Sequence, residues 1–187
     1  IDLGVSVRAL NQALHRIDME IPNLSAVLLT HEHTDHIKGL ATFVKKYELP
    51  VYATFGTGAA ILQKLPQAKK NLRLFAGGET FFVDGLRVQS MPISHDAAEP
   101  VAYRIDGGGH QLGYVTDTGF LSDEVQQTIC GCDTVVLESN HDVDMLRHGP
   151  YPFYLQQRIR GKLGHLSNEA CADGALKAVK NGAKRLV

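Results

Sequence analysis

The chain has 187 residues, of which 44% are hydrophobic and 21% charged, a composition typical of a globular domain and not of a disordered segment. The formal charge of −1 excludes a global basic field, so any polyanion has to be bound by local patches or by metal ions. No stretch approaches about 18 consecutive apolar residues, and the three cysteines are an odd number. We therefore expect a cytoplasmic protein with reduced thiols and no membrane partner.

Helical and strand patterns alternate along the chain, as is typical of the α/β and α+β classes. After a short strand end at residues 1–4, helices are predicted at residues 7–17, 37–47, 57–65, 122–129, 153–160 and 169–181. Strands are predicted at residues 26–29, 50–53, 81–88 with a turn at Asp84-Gly85, 101–105, 111–116 and 134–137. No linker or repeat interrupts this order. We expect one domain over residues 1–187, cut at both ends because Ile1 is not Met and residues 184–187 begin a strand.

The highest concentration of potential metal ligands follows the apolar strand at residues 26–29, in the loop Thr30-His31-Glu32-His33-Thr34-Asp35-His36. A strand that is apolar throughout is buried on both faces, so the loop begins at its carboxyl end, where open α/β sheets bind ligands. Imidazole and carboxylate suit borderline divalent ions such as Zn²⁺ or Mn²⁺. In so short a loop, His31 and His33 point one way and Asp35 and His36 another, which favours two adjacent ions. The alternative, a solvated His-rich loop, is disfavoured by the number of ligands in so few positions.

The pattern His31-x-His33-x-Asp35-His36 resembles the signature loop of the metallo-β-lactamase-fold hydrolases. That family has later ligands, and His95 and Asp117 each follow a predicted strand at matching places. The resemblance implies a first ion bound by His31, His33 and His95. It implies a second ion bound by Asp35 and His36, with Asp117 bridging the two and Asp35 also counted as catalytic. The family's closing His has no candidate here, and we expect it after Val187.

Two later segments resemble one particular branch of this family. Glu138-Ser139-Asn140-His141-Asp142 follows a second apolar strand, and Gly164-His165-Leu166-Ser167-Asn168 precedes a helix. With Gly149-Pro150-Tyr151-Pro152 they resemble the YycJ (WalJ)-type branch, whose members are regarded as DNA exonucleases or related phosphodiesterases. The resemblance implies a four-layer αββα metallo-β-lactamase sandwich that lacks its first strands and final segment here.

Phosphodiester cleavage needs a proton for the leaving oxygen, and His165 is the candidate donor because an imidazole titrates near neutral pH. Glu138 resembles the carboxylate that orients this imidazole in related phosphodiesterases and tRNA-processing nucleases. The alternative for His165 is a structural role in the turn before the helix. His141 contacts the substrate or bonds within its loop, with neither role favoured. Lys38, Arg147 and Arg158 are candidates for contacts with backbone phosphates.

The expected function is a dinuclear metal-dependent phosphodiesterase acting on DNA or another phosphodiester substrate. Two alternatives stay open: a small-molecule hydrolase of cyclic phosphodiesters or thioesters, and a non-catalytic metal-binding protein. The fold itself does not choose among them. The sequence does not indicate the native metal, the oligomeric state or the polarity of an exonuclease.

Overall fold

The strands form two separate sheets in the computed structural model, which describes residues 1–187. The chain divides into two compact units, residues 1–77 with 97–99 and residues 78–96 with 100–187. The helices are α1 (Val7–His15), α2 (Thr34–Ile37), α3 (Leu40–Lys46), α4 (Phe55–Lys64), α5 (Asp123–Ile129), α6 (Val143–His148), α7 (Phe153–Arg160) and α8 (Asn168–Lys180). The strands are β1 (Val27–Leu28), β2 (Val51–Thr54), β3 (Leu72–Phe75), β4 (Thr80–Val83), β5 (Leu86–Pro92), β6 (Val101–Gly107), β7 (His110–Val115), β8 (Thr134–Leu137) and β9 (Arg185–Leu186). The mixed helix and strand content confirms the predicted α/β class.

The first unit is built on three parallel strands in the order β1-β2-β3. The ladder continues past β1, because the Leu29 N–H donates to the Tyr52 carbonyl at 2.9 Å. Leu29, Phe43 and Ile61 are fully buried in the core of this unit. Since the strands are parallel, all of them end at the same edge of the sheet, and the loop that contains His31 begins at that edge.

The second unit contains six strands in the order β4 to β9. Strands β4 to β7 pair antiparallel, whereas β7, β8 and β9 pair parallel. Strands β5, β7 and β8 therefore run in the same direction and end at one edge. Val115 of β7 lies opposite Leu137 of β8, so the residues that follow them, Asp117 and Glu138, emerge side by side.

Most predicted elements are present, and strand 134–137 and helix 153–160 have the predicted bounds. The predicted helix 37–47 is interrupted, because the Gly39 N–H donates to the Leu3 carbonyl at 2.8 Å and not to a helical carbonyl. The prediction of a strand at residues 1–4 was wrong. Strand β3 and helix α6 were not predicted, and both are too short for a clear hydrophobic period. None of the helices combines the length and apolar character that crossing a bilayer requires.

Candidate metal centre

The predicted metal loop lies directly after β1 in the first unit. His31 is fully buried, with 0% of its surface exposed, whereas the Asp35 side chain is 80% exposed. His33 immediately precedes α2, so Asp35 and His36 lie on the first turn of that helix. The centroid of the His31 ring lies 4.6 Å from the centroid of the His33 ring and 4.1 Å from that of the His36 ring. The His36 Nε2 lies 3.6 Å from an Asp35 carboxylate oxygen. All four predicted ligands of this loop are therefore close together.

Asp2 fixes the orientation of two of these side chains. Its carboxylate accepts hydrogen bonds from the Thr30 N–H at 2.8 Å, the Thr30 hydroxyl at 2.9 Å and the His36 Nδ1 at 2.8 Å. Since the Thr30 hydroxyl gives its hydrogen to Asp2, it accepts one from the His31 Nδ1, which lies 2.9 Å away. Both imidazoles are thus protonated on Nδ1 and carry their lone pair on Nε2. This is the tautomer of a metal-ligating histidine whose other nitrogen is held by the protein.

A glycine allows the Asp2 turn to approach the loop. A Cβ atom on Gly4 would lie 1.8 Å from the Asp35 carbonyl oxygen, so no other residue fits there without a backbone shift. The Leu3 N–H also donates to the His36 carbonyl at 2.7 Å. The sequence did not reveal that Asp2 bonds to the predicted ligands. That role depends on a contact between residues 34 positions apart.

In the second unit, His95 and Asp117 follow β5 and β7. His95 is buried, and its Nδ1 donates to the Gly164 carbonyl at 3.0 Å, which again leaves the lone pair on Nε2. Burial lowers the pKa of His95, so the neutral, ligating form is favoured at neutral pH. Asp117 has a φ of +51°, a left-handed conformation that is uncommon for residues other than glycine and in which Asp is enriched.

Glu138 and His165 form a bonded pair in the same unit. The His165 Nδ1 lies 2.6 Å from Glu138 Oε1, while Glu138 Oε2 accepts from the backbone N–H groups of Thr118 at 3.0 Å and Leu166 at 3.1 Å. The hydrogen bond to Glu138 is the main reason that the pKa of His165 is raised, which favours the protonated ring. Ligand atoms of His95, Asp117 and His165 lie within 4.8 Å of one another. The predicted proton donor is therefore adjacent to two predicted metal ligands.

The donor set of each unit fits a divalent metal ion. Imidazole nitrogens and carboxylate oxygens are the preferred protein ligands of Zn²⁺ and of similar first-row ions. His31, His36 and His95 each have Nδ1 held by a hydroxyl, a carboxylate or a carbonyl, as ligating imidazoles in proteins generally do. The residues present are therefore suited to binding a divalent metal ion.

The other polar candidates differ in their surroundings. The guanidinium of Arg158 donates to Asp96 at 2.7 Å, so it is already paired within the protein. Lys38 lines a groove in the first unit, and His141 lines a pocket in the second. Arg147 lies 3.7 Å from the exposed carboxylate of Asp144.

Comparison with known proteins identifies similar chains. Residues 1–187 match the family described as the β-lactamase superfamily domain. The chain is 39% identical over 175 residues to the exodeoxyribonuclease YycJ of Bacillus anthracis, covering 92% of this chain and 66% of that protein. It is 35% identical over 191 residues to the exodeoxyribonuclease WalJ of Streptococcus pneumoniae, covering 100% of this chain and 70% of that protein. The chain thus spans about two thirds of the length of these relatives.

Among solved structures, the chain is similar to Zn²⁺-bound PqqB from Methylobacterium extorquens. The TM-score is 0.71 at 23% sequence identity, and the match covers 96% of this chain and 69% of that one. At this identity the likeness is one of fold alone.

Proposed function

The chain belongs to the metallo-β-lactamase superfamily, in the branch of the YycJ and WalJ exodeoxyribonucleases, and we propose that it is a metal-dependent phosphodiesterase that degrades DNA. Membership confirms the predicted fold. The observation that carries the proposed activity is the Glu138–His165 pair, which lies beside His95 and Asp117. A charge-stabilised imidazole next to metal ligands is suited to protonating a leaving oxygen in metal-assisted hydrolysis.

Two divalent ions, zinc or manganese, are part of the proposal. The first would be held by His31, His33 and His95, and the second by Asp35 and His36, with Asp117 bridging them. Family membership and the orientation of the imidazoles within each unit support this assignment. When bound, such ions supply positive charge to the phosphate and make water acidic enough to be deprotonated near neutral pH.

The protein's own contribution is to hold and deliver a proton. The His165 Nδ1–H donates to Glu138, so the proton available for transfer is on Nε2. Glu138 cannot rotate away easily, because the backbone N–H groups of Thr118 and Leu166 fix its second oxygen. Glu138 thus orients the ring and stabilises its positive charge, while His165 Nε2 gives its proton to the oxygen that leaves.

DNA is favoured as the substrate by the relatives' activity and by a basic groove in the first unit. The groove has a volume of about 470 Å³ and is lined by Arg8, Lys38 and Lys46 without any acidic residue. Cationic side chains of this kind bind backbone phosphates independently of sequence. A cytoplasmic location is part of the same proposal and is supported by the three cysteines, which are all free thiols.

The test combines metal analysis with activity. We expect the purified full-length protein to bind close to two equivalents of Zn²⁺ or Mn²⁺ and to hydrolyse both single-stranded DNA and bis-(p-nitrophenyl) phosphate. Hydrolysis of a thioester without DNA cleavage would instead favour a small-molecule hydrolase. Two equivalents of metal with no hydrolysis of any of these substrates would indicate a non-catalytic metal-binding protein.

A further inference from the structure

A pocket of about 500 Å³ lies within the second unit, a volume in the range of small-ligand sites. The apolar residues of its lining include Met145, Leu146, Pro150 and Tyr151. The polar, uncharged residues of the lining are Ser139, Asn140, His141 and Asn168. Tyr151 is 51% exposed, so this lining residue is accessible to a ligand.

The charge of the lining favours an uncharged occupant over a phosphate group. No Lys or Arg lines the pocket, and the single acidic residue, Asp142, caps α6 by accepting from the Met145 N–H at 2.8 Å. Burial lowers the pKa of His141, so this ring is neutral at pH 7 and contributes no positive charge. The pocket therefore suits an uncharged group with one apolar face and a polar edge.

The polar side of the pocket is fixed by its own hydrogen bonds. The Ser139 hydroxyl donates to the side-chain carbonyl of Asn168 at 2.9 Å, so the carbonyl of this amide is engaged within the protein and its NH₂ group is the donor that remains for other contacts. The backbone N–H of Asn168 donates to the His141 carbonyl at 2.8 Å. The Asn140 N–H donates to the Leu166 carbonyl at 3.0 Å. An amide held in this way is suited to recognising acceptor atoms on the edge of a planar ligand.

The pocket is also adjacent to the proposed proton donor. Ser139, Asn140 and His141 directly follow Glu138 in the chain, and Asn168 follows His165 by three residues. The contact between the two segments is continued by a bridge between His141 and Ser167. The charges of Glu138 and His165 both act on the pKa of His141, so this part of the pocket lies near the Glu138–His165 pair.

We propose that this pocket binds the base of the terminal nucleotide of a DNA strand, stacked on Tyr151 and contacted at its edge by Asn168. This inference rests on the proposed function and adds a subsite to it. A nucleobase is uncharged, has two π-faces and presents acceptor atoms at its edge, as the lining requires. Its phosphodiester would extend out of the pocket toward His165.

The test uses 2-aminopurine, a fluorescent base that is quenched when it stacks. The chain contains no Trp, so protein emission interferes little. Metal-loaded protein is mixed with single-stranded oligonucleotides whose phosphorothioate linkages resist hydrolysis. Each carries 2-aminopurine at the 5′ end, at the 3′ end or in the middle. We expect strong quenching at one terminal position and weaker quenching in the middle.

Tyr151→Ala should remove this quenching and weaken binding by about 5- to 100-fold, the loss typical of one base–aromatic stack. Tyr151→Phe should retain both, because it keeps the ring. Tyr154→Ala is the matched control: this tyrosine is in the same unit and 74% exposed but does not line the pocket. It should behave as the unaltered protein.

Three results would overturn the inference. Equal quenching at all three positions, or quenching that survives Tyr151→Ala, would place the base elsewhere while leaving the proposed function intact. Failure of the unaltered protein to bind any oligonucleotide, measured by fluorescence anisotropy, would overturn the inference and the proposed DNA substrate together. A change in oligomeric state on Tyr151→Ala without DNA, measured by sedimentation, would make the pocket a contact between copies of this chain.

Discussion

Asp2 orients two side chains of the metal loop in the first unit. Its carboxylate accepts three hydrogen bonds, and one of them holds the His36 Nδ1 at 2.8 Å. It has a φ of +56°, so the turn that presents the carboxylate is itself unusual. Asp2 thus orients predicted metal ligands, although Asp2 itself was not predicted to bind metal.

Asp2→Asn should therefore weaken metal binding by about 10- to 100-fold, the usual cost of losing a partner that orients a ligating imidazole. An amide has only one acceptor oxygen and cannot satisfy all three donors. Affinity is measured by competition with a chromogenic chelator. Asp18→Asn is the control, because Asp18 has a similar φ of +54° in the same unit but is exposed. Equal affinities for the two variants would contradict the role of Asp2.

The proposed role of His165 as proton donor can be tested by comparing two substrates, one whose leaving group needs a proton and one whose leaving group does not. If its Nε2 protonates the leaving oxygen, His165→Ala should slow cleavage of DNA by about 10²- to 10⁴-fold. Hydrolysis of bis-(p-nitrophenyl) phosphate should fall far less, because p-nitrophenolate leaves without a proton. Glu138→Gln should show the same contrast more mildly, and Asp117→Ala should abolish both reactions. Rates are compared at equal metal content.

The exposed His110 supplies the control, because His110→Ala should alter neither rate. Similar losses on the two substrates for His165→Ala, with metal content unchanged, would assign His165 to a structural or substrate-binding role.

At the level of elements, Asp133 joins three strands of the second unit. Its carboxylate accepts from the Gln111 N–H of β7 at 2.9 Å and from Lys184 Nζ, just before β9, at 2.7 Å. The hydrogen bond from Lys184, followed by that from Gln111, lowers the pKa of Asp133. Because the folded state favours the ionised carboxylate, this contribution to stability is present above the ordinary Asp pKa of about 3.9 and is lost as the pH falls through the lowered value.

Asp133→Asn should thus lower the free energy of unfolding at pH 7 and have little effect once the pH is below the folded-state pKa. Urea unfolding of both proteins from pH 7 down to about pH 2 measures the difference. Asp173→Asn is the control, because Asp173 is exposed on α8. A stability difference that does not depend on pH would show that Asp133 acts through packing and not through its charge.

For the whole molecule, the formal charge of −1 gives no general attraction for DNA, so binding depends on where the cations are. The groove lined by Arg8, Lys38 and Lys46 concentrates three of them. Each phosphate neutralised by such a group releases counterions, which makes affinity depend on salt concentration.

Replacing Arg8, Lys38 and Lys46 together with Ala should weaken binding of single-stranded DNA and reduce the log–log salt slope by about 2, since each phosphate contact contributes roughly 0.7. Binding is measured by anisotropy over a salt series. The control replaces Lys45, Lys64 and Lys69, which are exposed in the same unit and outside the groove, so the change in net charge is the same. Equal slopes for the two triple variants would show that the groove does not bind the phosphate backbone.

The sequence by itself determined the family and most elements of the fold, and it predicted the metal loop. These signals are local: four predicted ligand side chains within six positions after an apolar strand, and the Asp84-Gly85 turn between β4 and β5. The single domain over residues 1–187 and the division of ligands between two ions stay predictions.

Only the tertiary structure decided which residues orient the ligands. Asp2 reaches Thr30 and His36, and Glu138 reaches His165 across 27 positions, because the fold brings together segments that are distant in sequence. The pocket beside Tyr151 likewise requires two segments that are distant in sequence. Hydrophobic period and motif spacing report the local conformation of the chain, whereas a hydrogen bond between distant residues depends on strand order and register.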